Sequence, residues 1–165
     1  MNKLSKIGSI AMATALATGW VAMTSANSRT LPSYPKGYRQ WAHVKSALVS
    51  EGHAEYESSG GFRHIYANDQ ALSGYRSGKF PEGSIIVVDW LAERDSGGMF
   101  EEGQRRRVDV MIKDSRTFAS TGGWGFERFK GDSRTERIVK DVSSQCFACH
   151  AGQKSADFVF STLRD

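Results

Sequence analysis

The sequence predicts an α+β protein, in which an antiparallel β-sheet predominates and short helices flank it. The segment from Ser84 to Ala92 alternates with period two and is rich in β-branched residues, which is typical of a strand. The segment from Arg105 to Lys113 alternates in the same way. The two patterns place different side chains on opposite faces: Ile86, Val88 and Trp90 against Ile85, Val87, Asp89 and Leu91 in the first, and Val108, Val110 and Ile112 against Asp109 and Met111 in the second.

Further elements follow from the turn signals between these segments. Gly60-Gly61 precedes a predicted strand at Phe62–Ala67, and Gly122-Gly123 precedes one at Trp124–Lys130. Three short helices are predicted on the periphery: Lys36–Val49, Gln70–Tyr75 and Arg134–Val142. The long apolar stripes of period 3.6 that a four-helix bundle requires do not occur in the sequence.

Length and composition indicate a single globular domain. The chain has 165 residues, 39% of them hydrophobic and 24% charged, with 17 Gly and 3 Pro. No internal repeat or linker divides it, so we assign residues 27–165 to one domain. A formal net charge of +4 gives no reason to expect a nucleic-acid partner.

Residues 1–26 have the pattern of a secretory signal. Lys3 and Lys6 precede an uncharged stretch from Ile7 to Met23, and the small residues up to Ala26 offer a cleavage site. The alternative is a retained membrane anchor, but small and polar residues interrupt the apolar run. Cleavage would remove two lysines and no acid, which lowers the net charge from +4 to +2. We therefore expect a periplasmic protein.

Both cysteines lie in the pentapeptide Cys146-Phe147-Ala148-Cys149-His150. A disulfide between them would close a small ring and constrain the unfolded chain little. A thioredoxin-like redox pair would normally lie early in a βαβ unit, whereas this pair is close to the C-terminus. The third interpretation is covalent haem attachment, in which two thiols add to the vinyl groups of one porphyrin and the adjacent imidazole ligates iron. We favour one covalently attached haem c, on a C-terminal segment.

Methionine placement bears on the type of haem protein. Of the five methionines, three lie within the signal, and the remaining Met99 and Met111 both precede His150. A low-spin electron carrier usually places its methionine ligand after the haem motif, so the sequence disfavours His/Met coordination. An electron-transfer cytochrome remains the least favoured alternative.

Four blocks of the sequence together resemble the cytochrome P-460 family, which includes the cytochromes c-prime-beta. They are Pro35–Trp41, Phe80–Ser84, Ile112–Asp114 with Phe118-Ala119, and Cys146–His150. The resemblance implies an exported, dimeric, mostly β protein that contains haem. It also implies that His150 is the proximal iron ligand and that the distal side is open or holds water.

The resemblance further identifies positions that separate the members of the family. Hydroxylamine-oxidising members carry a lysine that bonds to the porphyrin, and the matching position here is Val88, which cannot form that link. The distal carboxylate of those enzymes corresponds to Asp109, for which the alternative is a solvated residue paired with a nearby arginine. Phe62 would correspond to an apolar cap over the open iron face or be a plain core aromatic, and His64 is a weaker candidate for a sixth ligand.

Two functions from different classes follow. The first is a binding protein whose haem takes up nitric oxide or carbon monoxide, in a pocket lined by Val88 and Phe62. The second is an oxidoreductase that acts on hydroxylamine or a related nitrogen compound, with Asp109 as proton acceptor and a partner cytochrome as electron acceptor. The missing lysine favours the first.

Overall fold

The computed structural model describes residues 31–164 of the chain. It contains one five-stranded antiparallel sheet with the strands in chain order, and short helices beside it, which confirms the predicted fold class. The strands are β1 Ala42–Val49, β2 Gly61–Ala67, β3 Ile85–Asp95, β4 Phe100–Lys113 and β5 Trp124–Lys130; the helices are α1 Tyr56–Ser59, α2 Asp69–Ser77 and α3 Ala148–His150. The predicted signal, residues 1–26, lies outside the described residues.

The longest paired strands in the sheet are those of the β3–β4 hairpin. Its turn uses Gly97 and Gly98, whose φ values of 70° and 93° are available to glycine at little cost. The Asp95 carboxylate accepts a hydrogen bond from the Gly98 amide at 2.8 Å and stabilises this turn. The hairpin extends the two strands beyond the ends of their neighbours, so β4 begins five residues earlier than the sequence predicted.

Two of the predicted helices are wrong. The segment predicted as a helix at Lys36–Val49 contains a single 3₁₀ turn at Tyr38–Gln40 and then the edge strand β1. A bulge between His43 and Lys45 interrupts the alternation of β1, and its apolar residues therefore fall at a spacing that resembles a helix.

The second wrong prediction is the helix at Arg134–Val142. That segment runs irregularly along the edge of β5, and the amide of Ile138 donates to the carbonyl of Arg128 at 3.0 Å. Arg137 forms an isolated bridge with Phe129 and an ion pair of 2.7 Å with the buried Glu127. The backbone groups of the segment are thus used to pair with β5 instead of within a helix. The helix predicted at Gln70–Tyr75 is confirmed as part of α2, capped by Asn68.

The two faces of the sheet are covered by opposite ends of the described chain. We call them the C-terminal face and the N-terminal face. Residues 139–163 pack on the C-terminal face, whose core includes Ile65, Ile86, Trp124, Phe126 and Cys146. Residues 34–41 pack on the N-terminal face, whose core includes Tyr38, Val87, Val108, Val110 and Phe129. Strand alternation thus decides which side chains lie on the same side as Cys146.

Candidate haem site

The cysteine pair and the histidine lie on one helical segment. A π-helical turn at Ser143–Phe147 leads into α3, so Cys146 and His150 are four residues apart on adjoining turns. Cys146 is buried against the C-terminal face, whereas Cys149 is exposed. Both thiols are free, and burial raises the pKa of the Cys146 thiol.

The ring of His150 is fixed by a hydrogen bond from outside its own helix. Its Nδ1 lies 2.7 Å from the carbonyl oxygen of Phe158, which can only accept, so Nδ1 carries the proton and donates. Nε2 is then the nitrogen with a free lone pair, as an iron ligand requires. Burial lowers the pKa of the His150 imidazole, which favours the same neutral form.

The acceptor carbonyl is presented by an unusual turn. Asp157 and Phe158 both have positive φ, 50° and 66°, which non-glycine residues adopt at some cost. The Asp157 carboxylate holds the turn, because it accepts from Lys113 Nζ at 2.7 Å and from the Phe80 amide at 2.9 Å. The Trp124 indole donates to the Asp157 carbonyl at 2.8 Å. The sheet and the C-terminal segment therefore jointly determine where His150 points.

Aromatic rings surround the imidazole. Phe126 lies 4.8 Å from it and Phe160 lies 4.9 Å from it, measured between ring centroids. Phe160 remains 57% exposed although it is large and apolar. A flat apolar group bound beside His150 would cover this ring. Free thiols at the attachment spacing, an imidazole with Nε2 available and an uncovered aromatic ring all fit a haem c held by Cys146, Cys149 and His150.

Val88 lies on the C-terminal face, as the alternation predicted. It pairs with Ile65 across to β2 and with Asp109 across to β4, and it packs against the core cluster that contains Cys146. Lys113 also has a buried side chain at this face. Its Nζ is already engaged, because it forms an ion pair with Asp157 and donates to the Gly122 carbonyl at 3.3 Å.

Asp109 lies beside Val88 on the same face, and its side chain is mostly buried instead of solvated. It is paired with an arginine, since Arg107 Nε donates to its Oδ1 at 2.9 Å, and Arg128 Nε lies 3.5 Å from its Oδ2. Yet burial raises the pKa of the Asp109 carboxyl above its ordinary value, against the opposing effect of the two guanidinium groups. The charge of Arg128 lowers the pKa of the His150 imidazole and the charge of Asp109 raises it, so the Asp109 carboxylate and the imidazole interact electrostatically.

The prediction that Phe62 and Val88 line one pocket is wrong within a single chain. Phe62 pairs with Leu91, and Ile65, three residues further along β2, pairs with Val88. An odd separation along a strand places side chains on opposite faces, so Phe62 and Val88 do not lie on the same face. Phe62 instead stacks on His64 with the two rings 9° from parallel. His64 also lies on the N-terminal face, with Nδ1 2.6 Å from Ser46 Oγ and Nε2 2.8 Å from Glu102, which removes it as a sixth ligand.

Sequence reasoning missed several residues that build the site. Arg128, Asp157, Phe158 and Phe160 were not singled out, although the last three follow the cysteine motif closely along the chain. The apolar run Phe158-Val159-Phe160 directly after a haem motif was an available signal. The contact between Asp157 and Lys113 joins residues 44 positions apart, and nothing local in the sequence indicates it.

Comparison with known proteins identifies the family of the chain. The family model described as Cytochrome P460 matches residues 35–161, which is most of the chain. A search of curated proteins found no match. The matched range includes the whole sheet and the segment that carries Cys146, Cys149 and His150. The chain therefore belongs to the cytochrome P460 family and is a c-type haem protein.

Proposed function

We propose that this protein is an exported mono-haem cytochrome that binds nitric oxide or carbon monoxide at the open side of its haem, without a lysine–porphyrin cross-link. Cys146 and Cys149 would hold the single haem by thioether bonds, and His150 would ligate its iron. The observation that carries the proposal is Val88, an aliphatic side chain at the centre of the C-terminal face. The resemblance to hydroxylamine-oxidising members implies that this is the position of their cross-linking lysine.

Each residue has a defined task in this proposal. Ferrous haem supplies an iron that takes up a neutral diatomic molecule without needing a hydrogen bond from the protein. The carbonyl of Phe158 fixes His150 in the ligating tautomer. Val88 and Ile65 form an apolar pair across two strands, which would disfavour water and anions around a haem bound against this face.

Attachment and cross-linking are tested on the purified holoprotein. The expected mass is that of the processed polypeptide plus one haem, about 616 Da, and acid-acetone should leave the pigment bound. The ferrous spectrum should be that of a high-spin haem c, and carbon monoxide should shift it at once. Extractable haem would contradict the attachment. A peptide bonded to porphyrin outside residues 146–150 would contradict the absence of a cross-link.

A matched pair of variants tests the placement of the pocket. Val88→Phe adds a ring beside the iron and should slow carbon monoxide binding after flash photolysis about tenfold, which corresponds to about 1.4 kcal/mol of barrier. Phe62→Ala is the control, because Phe62 lies on the other face, and it should leave the rate within about twofold. An accelerated rate in Phe62→Ala, with no effect of Val88→Phe, would place the gas pocket elsewhere.

A second candidate function is the oxidation of hydroxylamine, and the position of Asp109 favours it. A half-buried carboxylate with a raised pKa can accept a proton from bound substrate, while a partner cytochrome takes the electrons. Steady-state turnover with an artificial electron acceptor distinguishes the candidates. Hydroxylamine-dependent reduction that Asp109→Asn abolishes would rank the enzyme first, and its absence would leave the binding protein.

Export and assembly are part of the same proposal. Residues 1–26 would act as a cleaved signal that delivers the chain to the periplasm, where it would form a homodimer. Within residues 31–164, no helix is long and apolar enough to cross a membrane. N-terminal sequencing of the exported protein and sedimentation equilibrium test these two statements directly.

A further inference from the structure

The carboxylate of Asp109 is held from two sides. The indole Nε1 of Trp90 donates to Oδ2 at 3.0 Å, and Arg107 Nε donates to Oδ1 at 2.9 Å and to Oδ2 at 3.2 Å. Trp90 and Arg107 are directly opposite each other in the β3–β4 register, and Asp109 is the next residue of β4 on the same face. Two donors thus define the plane of the carboxylate.

The two donors also hold each other. The guanidinium carbon of Arg107 lies 4.4 Å from the centroid of the Trp90 ring, within the range of a cation–π contact. Arg107 Nη1 donates to the Ser58 carbonyl at 3.0 Å, which ties the guanidinium to α1. Trp90, Arg107 and Asp109 form a closed triangle of contacts, which we call the Trp90 triangle, and none of its members can rotate without breaking two contacts.

Only one member of the Trp90 triangle can take a proton. An indole N–H and a guanidinium are donors with no acceptor site, and arginine stays charged in proteins. The Asp109 carboxylate still has acceptor capacity, because Oδ1 receives a single hydrogen bond from Arg107. The donors therefore determine the direction in which the remaining lone pair of Oδ1 points.

We infer that Trp90 is a positioning residue, which together with Arg107 holds the Asp109 carboxylate in a fixed orientation on the face that carries the haem. The inference rests on the proposed haem site but on neither candidate reaction. It assigns to the indole N–H of Trp90 a purpose beyond packing. A phenylalanine would fill the core nearly as well but would leave Oδ2 without this donor.

The test compares Trp90→Phe with the unsubstituted ferric holoprotein in an optical pH titration. The charged groups near Asp109 are Arg107 on its own strand and Arg128 on β5, and the titratable group on the C-terminal segment is His150. A hydrogen bond to the charged carboxylate favours that form, so its loss should raise the midpoint of the Asp109-dependent spectral change by about one pH unit. Asp109→Asn should abolish the change, which identifies the titrating group.

Tyr38→Phe is the matched control. It also removes a hydrogen-bond donor to a buried carboxylate, but that carboxylate is Asp89 on the N-terminal face and not Asp109. Its midpoint should equal that of the unsubstituted protein. Equal midpoints in Trp90→Phe and Tyr38→Phe would overturn the inference, as would a spectral change that persists in Asp109→Asn or no spectral change at all.

The gas-binding proposal can fail separately. Carbon monoxide difference spectra of the same samples measure the open iron site directly. Loss of carbon monoxide binding in every sample, with the midpoint still shifted in Trp90→Phe, would refute gas binding and support the positioning role. Retained carbon monoxide binding, with an unshifted midpoint in Trp90→Phe, would support gas binding and refute the positioning role.

Discussion

The turn at Asp157–Phe158 gives the sharpest prediction, because a buried ion pair holds it. The side chains of Lys113 and Asp157 are only 9% and 15% exposed, and their charged atoms are 2.7 Å apart. Asp157→Ala would leave the Lys113 ammonium buried without a counter-charge, which typically costs about 3–5 kcal/mol. Lys113 keeps its contacts with the Gly122 carbonyl and the face of Trp124, so we take the lower end of this range.

We expect Asp157→Ala to lower the free energy of unfolding by about 3 kcal/mol, about a hundredfold in the equilibrium constant. Denaturant titration of the holoprotein measures this value. The control is Glu136→Ala, which breaks an ion pair with Lys130 whose side chains are 55% and 63% exposed, and it should cost less than about 1 kcal/mol.

Asp157→Asn separates charge from hydrogen bonding. The amide oxygen can still accept from the Phe80 amide, but Lys113 loses its counter-charge, so most of the destabilisation should persist. A loss in Asp157→Ala no larger than in Glu136→Ala would refute the reasoning. It would show that the turn which presents the Phe158 carbonyl to His150 does not depend on this ion pair.

Two further variants test the packing of the site and the buried charge on the opposite face. Gly122→Ala would place a Cβ 2.3 Å from the Phe158 ring at a φ of 66°, whereas Gly78→Ala, the control, meets no atom within 4 Å at a φ of 77°. Both variants should lose about 1 kcal/mol of stability from backbone strain. Only Gly122→Ala should lose about 1–3 kcal/mol more from overpacking and yield less holoprotein. For Asp89, burial alone would raise the pKa of the carboxyl, but hydrogen bonds from Arg105, Tyr38 and Arg39 hold that pKa below its ordinary value. The charged form therefore contributes stability that is present above about pH 4 and is lost as the pH falls further. Asp89→Asn should be less stable at pH 7. In denaturant titrations, its free energy of unfolding should also fall less on acidification than that of the unsubstituted protein. An unchanged slope of stability against pH below 4 would contradict the assignment for Asp89, and equal losses in the two glycine variants would contradict the Phe158 contact.

The sequence predicted the centre of the sheet well and its edges poorly. β3 and β4 each have neighbours on both sides. The burial of β4 follows the period of two that the sequence displays, and β3 is covered on both faces, so its alternation is one of side-chain placement and not of exposure. β1 is an edge strand with a bulge, and along it only Val44 and Val49 are buried, which destroys the alternation. The segment at 134–142 is held by its contacts with β5, and no local pattern encodes such pairing.

The site was predictable where the chemistry is local. Cys146, Cys149 and His150 stand within five residues, and their spacing alone indicates the cofactor. Phe62 failed as a prediction because its place depends on the register between β2 and β3, which the sequence of β2 alone does not define. The orientation of His150 depends on Asp157 and Lys113, and a contact at that separation becomes visible only in three dimensions.

The same register explains why the buried charge of Asp89 belongs to this fold. Val88 and Asp89 are neighbours in β3, so a slip of one residue would exchange the side chains on the two faces of the sheet. Asp89 is fully buried on the N-terminal face, where Tyr38 donates to it at 2.7 Å and Arg105 at 2.6 Å. A slipped strand would bury this carboxylate among the aliphatic and aromatic residues beside Cys146 and would leave Arg105 with only its exposed partner Asp132. Because an unpaired buried charge costs several kcal/mol, the ion pair on one face selects the register that places Val88 on the C-terminal face.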